Sequence, residues 1–290
     1  MSSAGGAPAI GADLPELREI PGPSAFGTDR TRFWELLWIV SVSDFKQTYA
    51  NTTLGFLWTI IKPLVFFGVI FVVLRGILRF GADVPNYPLI LVMGLIMFQY
   101  FQEVTTRGVR SIPNRESMIR KMHFPRIIVP LSIALTATLT LFFNLLAVSP
   151  LFFAFGLWPT LEWLWMIPIL ATLILFSTAL GLILSVTFIR FPDVDQVWSL
   201  VARVLFYASP VLFPIEKIPE PFDVVMTAVN PLAPLIELAR VVVIDPNAPG
   251  PLAVAGPLLG VLLPLSMIAF AAVFSLWIFK REAPRVAEAL

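Results

Sequence analysis

Asp193 and Asp195, in the run Phe191-Pro192-Asp193-Val194-Asp195, are the one acidic pair in this sequence with the look of a metal or sugar-nucleotide site. Two carboxylates so spaced can hold a divalent ion against substrate phosphates. They can equally form a solvated polar turn, and no third carboxylate or histidine stands nearby in sequence to complete an ion's shell. His123 is the only histidine and there is no cysteine, so histidine clusters, thiolate metal sites and disulfides are excluded. Beside Phe124 and Pro125, His123 suits packing better than acid–base catalysis. The chain contains no Gly-x-x-x-x-Gly-Lys followed by Ser or Thr, so it hydrolyses no ATP through a P-loop. It also lacks His-Glu-x-x-His and Gly-x-Ser-x-Gly. No catalytic residue and no metal ligand is assigned.

Arg203 is more informative, because it falls inside an apolar run, and an ionisable group in a membrane span is costly and marks function by default. It either meets an anion such as a lipid phosphate or pairs with Glu103 or Glu237. Lys62 poses a similar choice, snorkelling to an interface or facing a polar path. Trp58, Phe98, Phe101 and Tyr207 lie near these polar positions, where flat rings can support sugar rings while leaving them mobile.

The elements that carry these residues are membrane spans. Of 290 residues, 58% are hydrophobic and 13% charged, with a mean hydropathy of +0.86, whereas soluble domains carry about 25% charged residues. The net charge of +1 and the scatter of the basic residues exclude a nucleic-acid stripe. The expected fold is an all-α polytopic membrane protein with six transmembrane helices. Residues 1–29, rich in Gly, Ala, Pro and Ser, read as a disordered cytoplasmic tail, and residues 30–50 as an amphipathic interface helix. Its apolar face is Trp34, Leu37, Trp38, Val42, Phe45 and Tyr49, opposite Arg32, Glu35, Ser43, Lys46 and Gln47. The transmembrane domain, 51–281, has spans expected near 54–78, 88–106, 127–155, 163–189, 196–213 and 252–279, with 282–290 a cytoplasmic tail. Prolines divide 214–250 into apolar pieces too short to cross, so this region reads as two re-entrant external helices.

Orientation follows from residues 107–126, RGVRSIPNRESMIRKMHFPR, which hold six basic residues against Glu116 alone. Lys/Arg-rich loops stay inside. With both termini cytoplasmic, fifteen Lys and Arg fall inside and four outside, with Arg203 within the fifth span. A short helix is expected over 114–124, between Pro113 and Pro125.

Several segments, in order, carry a family resemblance: Leu54-Gly55-Phe56-Leu57-Trp58 with Lys62-Pro63-Leu64; Lys121-Met122-His123-Phe124-Pro125 with Val129-Pro130-Leu131; Phe191-Pro192-Asp193-Val194; Ser209-Pro210-Val211-Leu212-Phe213-Pro214; and Asn230-Pro231-Leu232 with Ile236-Glu237 and Arg240. Over Thr31 to Arg281 the chain resembles the membrane subunit of ABC-2-type exporters, in the branch that exports polysaccharides such as O-antigen and teichoic acid. Pro192 departs from the Arg often found there. The resemblance implies a permease, not an enzyme, in a bacterial plasma (inner) membrane. Its expected partners are two copies of a separate ATPase, which binds ATP and Mg, a second copy of itself and a lipid-linked glycan. It further implies that 114–124 is the coupling helix, with Arg115, Glu116, Met118, Ile119, Arg120 and Lys121 facing the ATPase. Asn230, Pro231, Glu237 and Arg240 then belong to an external gate, and the substrate path takes in Trp58, Lys62, Phe98, Phe101, Arg203 and Tyr207. A permease for drugs or small hydrophobic molecules, or an enzyme on lipid-linked sugars using Asp193 and Asp195, is the alternative.

Overall fold

The computed structural model describes residues 30–50, 55, 57–81, 83–116 and 125–289, and over these the chain is helical, without a strand. The helices are α1 (Arg30–Ala50), α2 (Leu57–Phe71), α3 (Tyr87–Val109), α4 (Ile128–Ala154), α5 (Met166–Arg190), α6 (Val194–Tyr207), α7 (Phe222–Val229), α8 (Leu232–Val243), α9 (Pro251–Pro257) and α10 (Leu263–Ala289). Among the described residues, four stretches are each long and apolar enough to cross a bilayer: Tyr87–Val109, Ile128–Ala154, Leu161–Arg190 and Pro251–Glu282.

The centre of the molecule is α3, which packs against α2, α4, α5, α6 and α8. A helix surrounded in this way needs apolar residues on nearly every side, and from Tyr87 to Phe98 all but Pro88 are buried. Asn86 turns the chain into α3 with φ of 53°, and Pro88 lies in the first turn, where its missing N–H leaves no bond unmade. Near its other end α3 crosses α5 at Gly108 and Gly181. A Cβ on Gly108 would stand 3.0 Å from the Gly181 Cα. Only two glycines permit this approach.

Three elements differ from what the sequence led us to expect. The helix predicted over 196–213 ends at Tyr207. Pro210 disfavours helix at Ser209, and the Asn230 Nδ2 donates to the freed Ala208 carbonyl at 2.7 Å and to Ser209 Oγ at 2.7 Å. The segment 252–279 is not one straight helix: Gly256, at φ 69° and ψ 177°, breaks it before Pro257, and π-helical Leu258–Leu262 leads into α10. In α1 the expected apolar face is split. Leu37 and Ser41 are buried against α4, whose Thr136 Oγ1 donates to the Ser41 carbonyl at 3.1 Å, while Trp34 and Trp38 stay 65% and 55% exposed. One residue along a helix is a turn of about 100°, which rotates the tryptophans off the packed stripe.

Two further features match the sequence pattern. The first apolar segment, α2, contains Pro63 and runs on through a π-helical stretch, Val72–Ile77. Within 214–250 two short helices, α7 and α8, meet at 103°. The expected tail 1–29 lies outside the described residues, and so do Ser117 to Phe124 of the expected helix 114–124.

Candidate functional site

Lys62, Phe98, Arg203 and Tyr207 line one cavity of about 480 Å³ between α2, α3 and α6. Each helix contributes a stripe at helical spacing: Lys62 and Phe66; Leu95, Phe98, Gln99 and Gln102; Arg203, Phe206 and Tyr207. The three stripes converge because α2 and α6 both pack on α3. The sequence places four of these residues on the substrate path and marks Gln99 and Gln102 only as polar groups that must face protein or water; Phe66, Leu95 and Phe206 carry no such signal. Steps of four residues from Lys62 and three from Arg203 reach Phe66 and Phe206 directly.

Phe101 does not line the cavity, and Trp58 stands at its edge beside Lys62. Phe101 is wholly buried, stacked on Phe176 with centroids 5.8 Å apart, and offers no surface to a cargo. It lies on the side of Phe98 opposite Gln99 and Gln102, between Phe176 of α5 and Trp198 of α6. Trp58 lies a turn before Lys62, with the Lys62 Nζ 5.9 Å from its ring centre. Phe98 is itself only 2% exposed and meets Phe206 edge-on at 5.1 Å.

Arg203 pairs with neither acid proposed for it. Glu103 accepts from Arg107 at 2.7 Å, one turn along α3. Glu237 accepts from the Ile215 N–H at 3.1 Å and lies 3.4 Å from Arg240. Among the described residues no ion pair involves Arg203 or Lys62, and both are exposed.

The four residues assigned to the external gate fall in two groups on α8, Asn230 and Pro231 at its start and Glu237 and Arg240 in its second half, and both groups clamp the segment after α6. Asn230 Oδ1 accepts from the Leu232 N–H at 3.0 Å while its amide nitrogen holds the end of α6. Pro231 follows as the cap of α8. Arg240, 3% exposed, grips Glu216 through two hydrogen bonds of 2.6 Å. Burial draws the Glu216 carboxyl upward, but the Arg240 bonds prevail and hold it below its ordinary value. Lys217, next in the chain, pairs with Asp83, whose carboxyl it holds below the ordinary value by hydrogen bonding. Tyr87 completes the fastening by donating to the Leu212 carbonyl at 2.9 Å. The segment 208–217 is thus tied to α3, α8 and the loop before α3.

At the other end of the bundle Asp195 accepts two hydrogen bonds from Arg110, at 3.0 and 2.6 Å. Asp195 is thus engaged by an arginine, and no group of three His, Cys, Asp or Glu able to hold an ion occurs among the described residues. Arg190 pairs with Glu282 at 2.8 Å, and Arg115 with Asp44 of α1. Arg115 lies in a single 3-10 turn, Pro113–Arg115, where the sequence predicts a helix from Asn114. Glu116 follows it; Met118, Ile119, Arg120 and Lys121 lie outside the described residues.

A family model for the ABC-2 type transporter matches residues 35–244, from within α1 to the residue after α8. The chain belongs to this family. It is therefore a multi-pass membrane protein of the transport-permease kind, not an enzyme in its own right. The match takes in the whole cavity and clamp and stops before α9 and α10. Among similar proteins, the O-antigen export system permease protein RfbA of Klebsiella pneumoniae is 32% identical over 204 residues, 70% of this chain and 78% of that protein. A protein of the same name from Myxococcus xanthus is 28% identical over 198 residues, 67% of this chain and 74% of its own. The polysialic acid transport protein KpsM of Escherichia coli is 24% identical over 198 residues, 68% and 76% of the two chains.

Proposed function

We propose that this ABC-2 chain is the membrane subunit of an ATP-driven exporter that carries a lipid-linked polysaccharide across a bacterial plasma membrane. The observation that carries the reading is the kinship with permeases named for O-antigen and polysialic acid, which spans about three quarters of their length. In this reading six spans cross the membrane with both termini inside, α2 with its π-helical continuation being the first and α6 with the segment after it the fifth. The fifteen-to-four distribution of Lys and Arg supports that orientation. The bent pair α7 and α8 enters and leaves on the outer side as a gate, and α1 lies along the inner interface with Trp34 and Trp38 toward lipid.

In this reading ATP and Mg belong to a separate ATPase, two copies of which serve two copies of this chain; the lack of a P-loop here supports it. Energy enters through residues 114–124. Arg115 supports that route, since its bond to Asp44 links the start of this segment to α1. Movement of the segment against α1, and of α2 and α6 against α3, opens the path lined by Lys62, Arg203 and Tyr207.

The test is to co-express and purify the chain with an ABC ATPase subunit from the same genome and to measure ATP hydrolysis with and without a lipid-linked glycan in reconstituted membranes. Glycan-stimulated hydrolysis is expected. Stimulation by small hydrophobic compounds with none by glycan would replace this cargo with drug-like molecules.

A further inference from the structure

A second cavity, of about 530 Å³, lies between α5 and α10. It runs from Phe176 to Ile183 on α5 and from Met267 to Phe274 on α10, about 10 Å along each helix. Its lining is apolar apart from Ser266, whose hydroxyl donates to the Leu263 carbonyl of its own helix at 2.7 Å. From this groove a line of rings continues toward the end of α10: Phe270 stacks on Phe274 with centroids 5.7 Å apart, and Phe274 on Trp277 at 5.6 Å. The Arg281 guanidinium then sits over the Trp277 ring at 5.4 Å. Lys280 is next to it in the chain, and both cations are exposed. Among the described residues neither has an ion pair, and the neighbouring acid, Glu282, is buried and bound to Arg190.

We infer that this face binds an anionic glycerophospholipid of the bilayer, with an acyl chain in the groove between α5 and α10 and the phosphate at Arg281 and Lys280. A bilayer lipid is the occupant because both helices are long and apolar enough to cross a membrane, and the groove lies on their outward side, where Phe270 is 69% exposed. An unfilled groove forfeits the dispersion contacts that a chain supplies. The length also fits. From Met267 to Arg281 the helix rises about 21 Å, one leaflet of a bilayer that measures roughly 40–45 Å with its headgroups. Tryptophan suits the headgroup level, and its ring holds the guanidinium there. The negative charge of one phosphate satisfies both cations, whereas a zwitterionic head sets its own ammonium against them. The groove shares no lining residue with the cavity between α2, α3 and α6.

The inference needs only that α5 and α10 cross a bilayer, whatever the cargo. It is tested on the full-length protein, delipidated in a nonionic detergent, by native mass spectrometry during titration with phosphatidylglycerol and with phosphatidylcholine of the same acyl chains. Phosphatidylglycerol is expected to bind about tenfold more tightly. Lys280→Gln combined with Arg281→Gln is expected to remove that preference and to leave phosphatidylcholine binding as it was. Ser266→Trp, which fills the groove from an exposed position, is expected to weaken the binding of both lipids. Equal binding of the two lipids by the wild type, or an unchanged preference in a monodisperse double variant, overturns the headgroup site. Displacement of phosphatidylglycerol by equimolar glycerol 3-phosphate gives the cations to a free phosphate and overturns the lipid assignment. Unchanged lipid binding in Ser266→Trp overturns the groove, and a change of oligomer mass in that variant without a change in lipid binding gives the groove to a second copy of the chain. No glycan or ATPase enters this assay, so a glycan that fails to stimulate ATP hydrolysis would sink the proposed cargo while leaving this result intact.

Discussion

Arg240 holds two carboxylates at once, one exposed by about a third and one buried, and its position on α8 makes it the fixed point of the segment that follows α6. Its side chain is 3% exposed, the Glu237 side chain likewise 3% and that of Glu216 32%. Removing one member of a buried charge set strands the others, at about 3–5 kcal/mol. Arg240→Ala is expected to fall at the lower end of that range, because Glu216 retains contact with solvent, and to lower the unfolding temperature of the purified chain. Glu216→Gln keeps an acceptor for Arg240 and is expected to cost clearly less. Equal losses in the two variants would show that the clamp does not centre on Arg240. The contrast with Arg203 is physical: both are arginines in apolar surroundings, but one is enclosed by acids and the other faces a cavity.

At the scale of elements, helix separation is set by the smallest residues at each crossing. A Cβ on Gly108 would meet the Gly181 Cα at 3.0 Å and its carbonyl oxygen at 3.2 Å, both backbone atoms that cannot turn aside. Gly108→Val is therefore expected to force α3 and α5 apart and to destabilise the chain by about 1–3 kcal/mol, read as a lower unfolding temperature. Gly68, on α2, has nothing within 4 Å of an added Cβ. Gly68→Ala is expected to leave the fold of the chain intact and to gain up to about 1 kcal/mol of helix preference. If both variants unfolded at the wild-type temperature, the close crossing would be wrong. The end of α6 has a local cause: Pro210 disfavours helix at Ser209, and the Asn230 amide nitrogen satisfies the freed Ala208 carbonyl.

For the whole molecule the decisive question is which end faces the cytoplasm. The chain has no cysteine, so single-cysteine variants are labelled without background. Ser117→Cys is expected to react with an impermeant maleimide only from the cytoplasmic side, and Glu220→Cys only from outside. External labelling at position 117 would invert the orientation that the basic residues predict.

What the sequence determined by itself was the membrane class, the all-helical fold, the approximate location of the long apolar helices and the family. These follow from hydropathy summed over about 20 residues and from motif order, which are local properties. The tertiary structure decided which side chains meet. Lys62, Gln99 and Arg203 are far apart in the chain, and their convergence on one cavity depends on the rotation of α2 and α6 against α3. Phe101 lies about 60° from Phe98 on the side away from Gln99 and Gln102, where Phe176 and Trp198 cover it. Asp195 meets Arg110 across helices, whereas Glu103 with Arg107 and Glu237 with Arg240 are pairs within one helix, at spacings of four and three residues. Pairing across helices depends on register and rotation, and an apolar pattern that surrounds a buried helix such as α3 on all sides fixes neither.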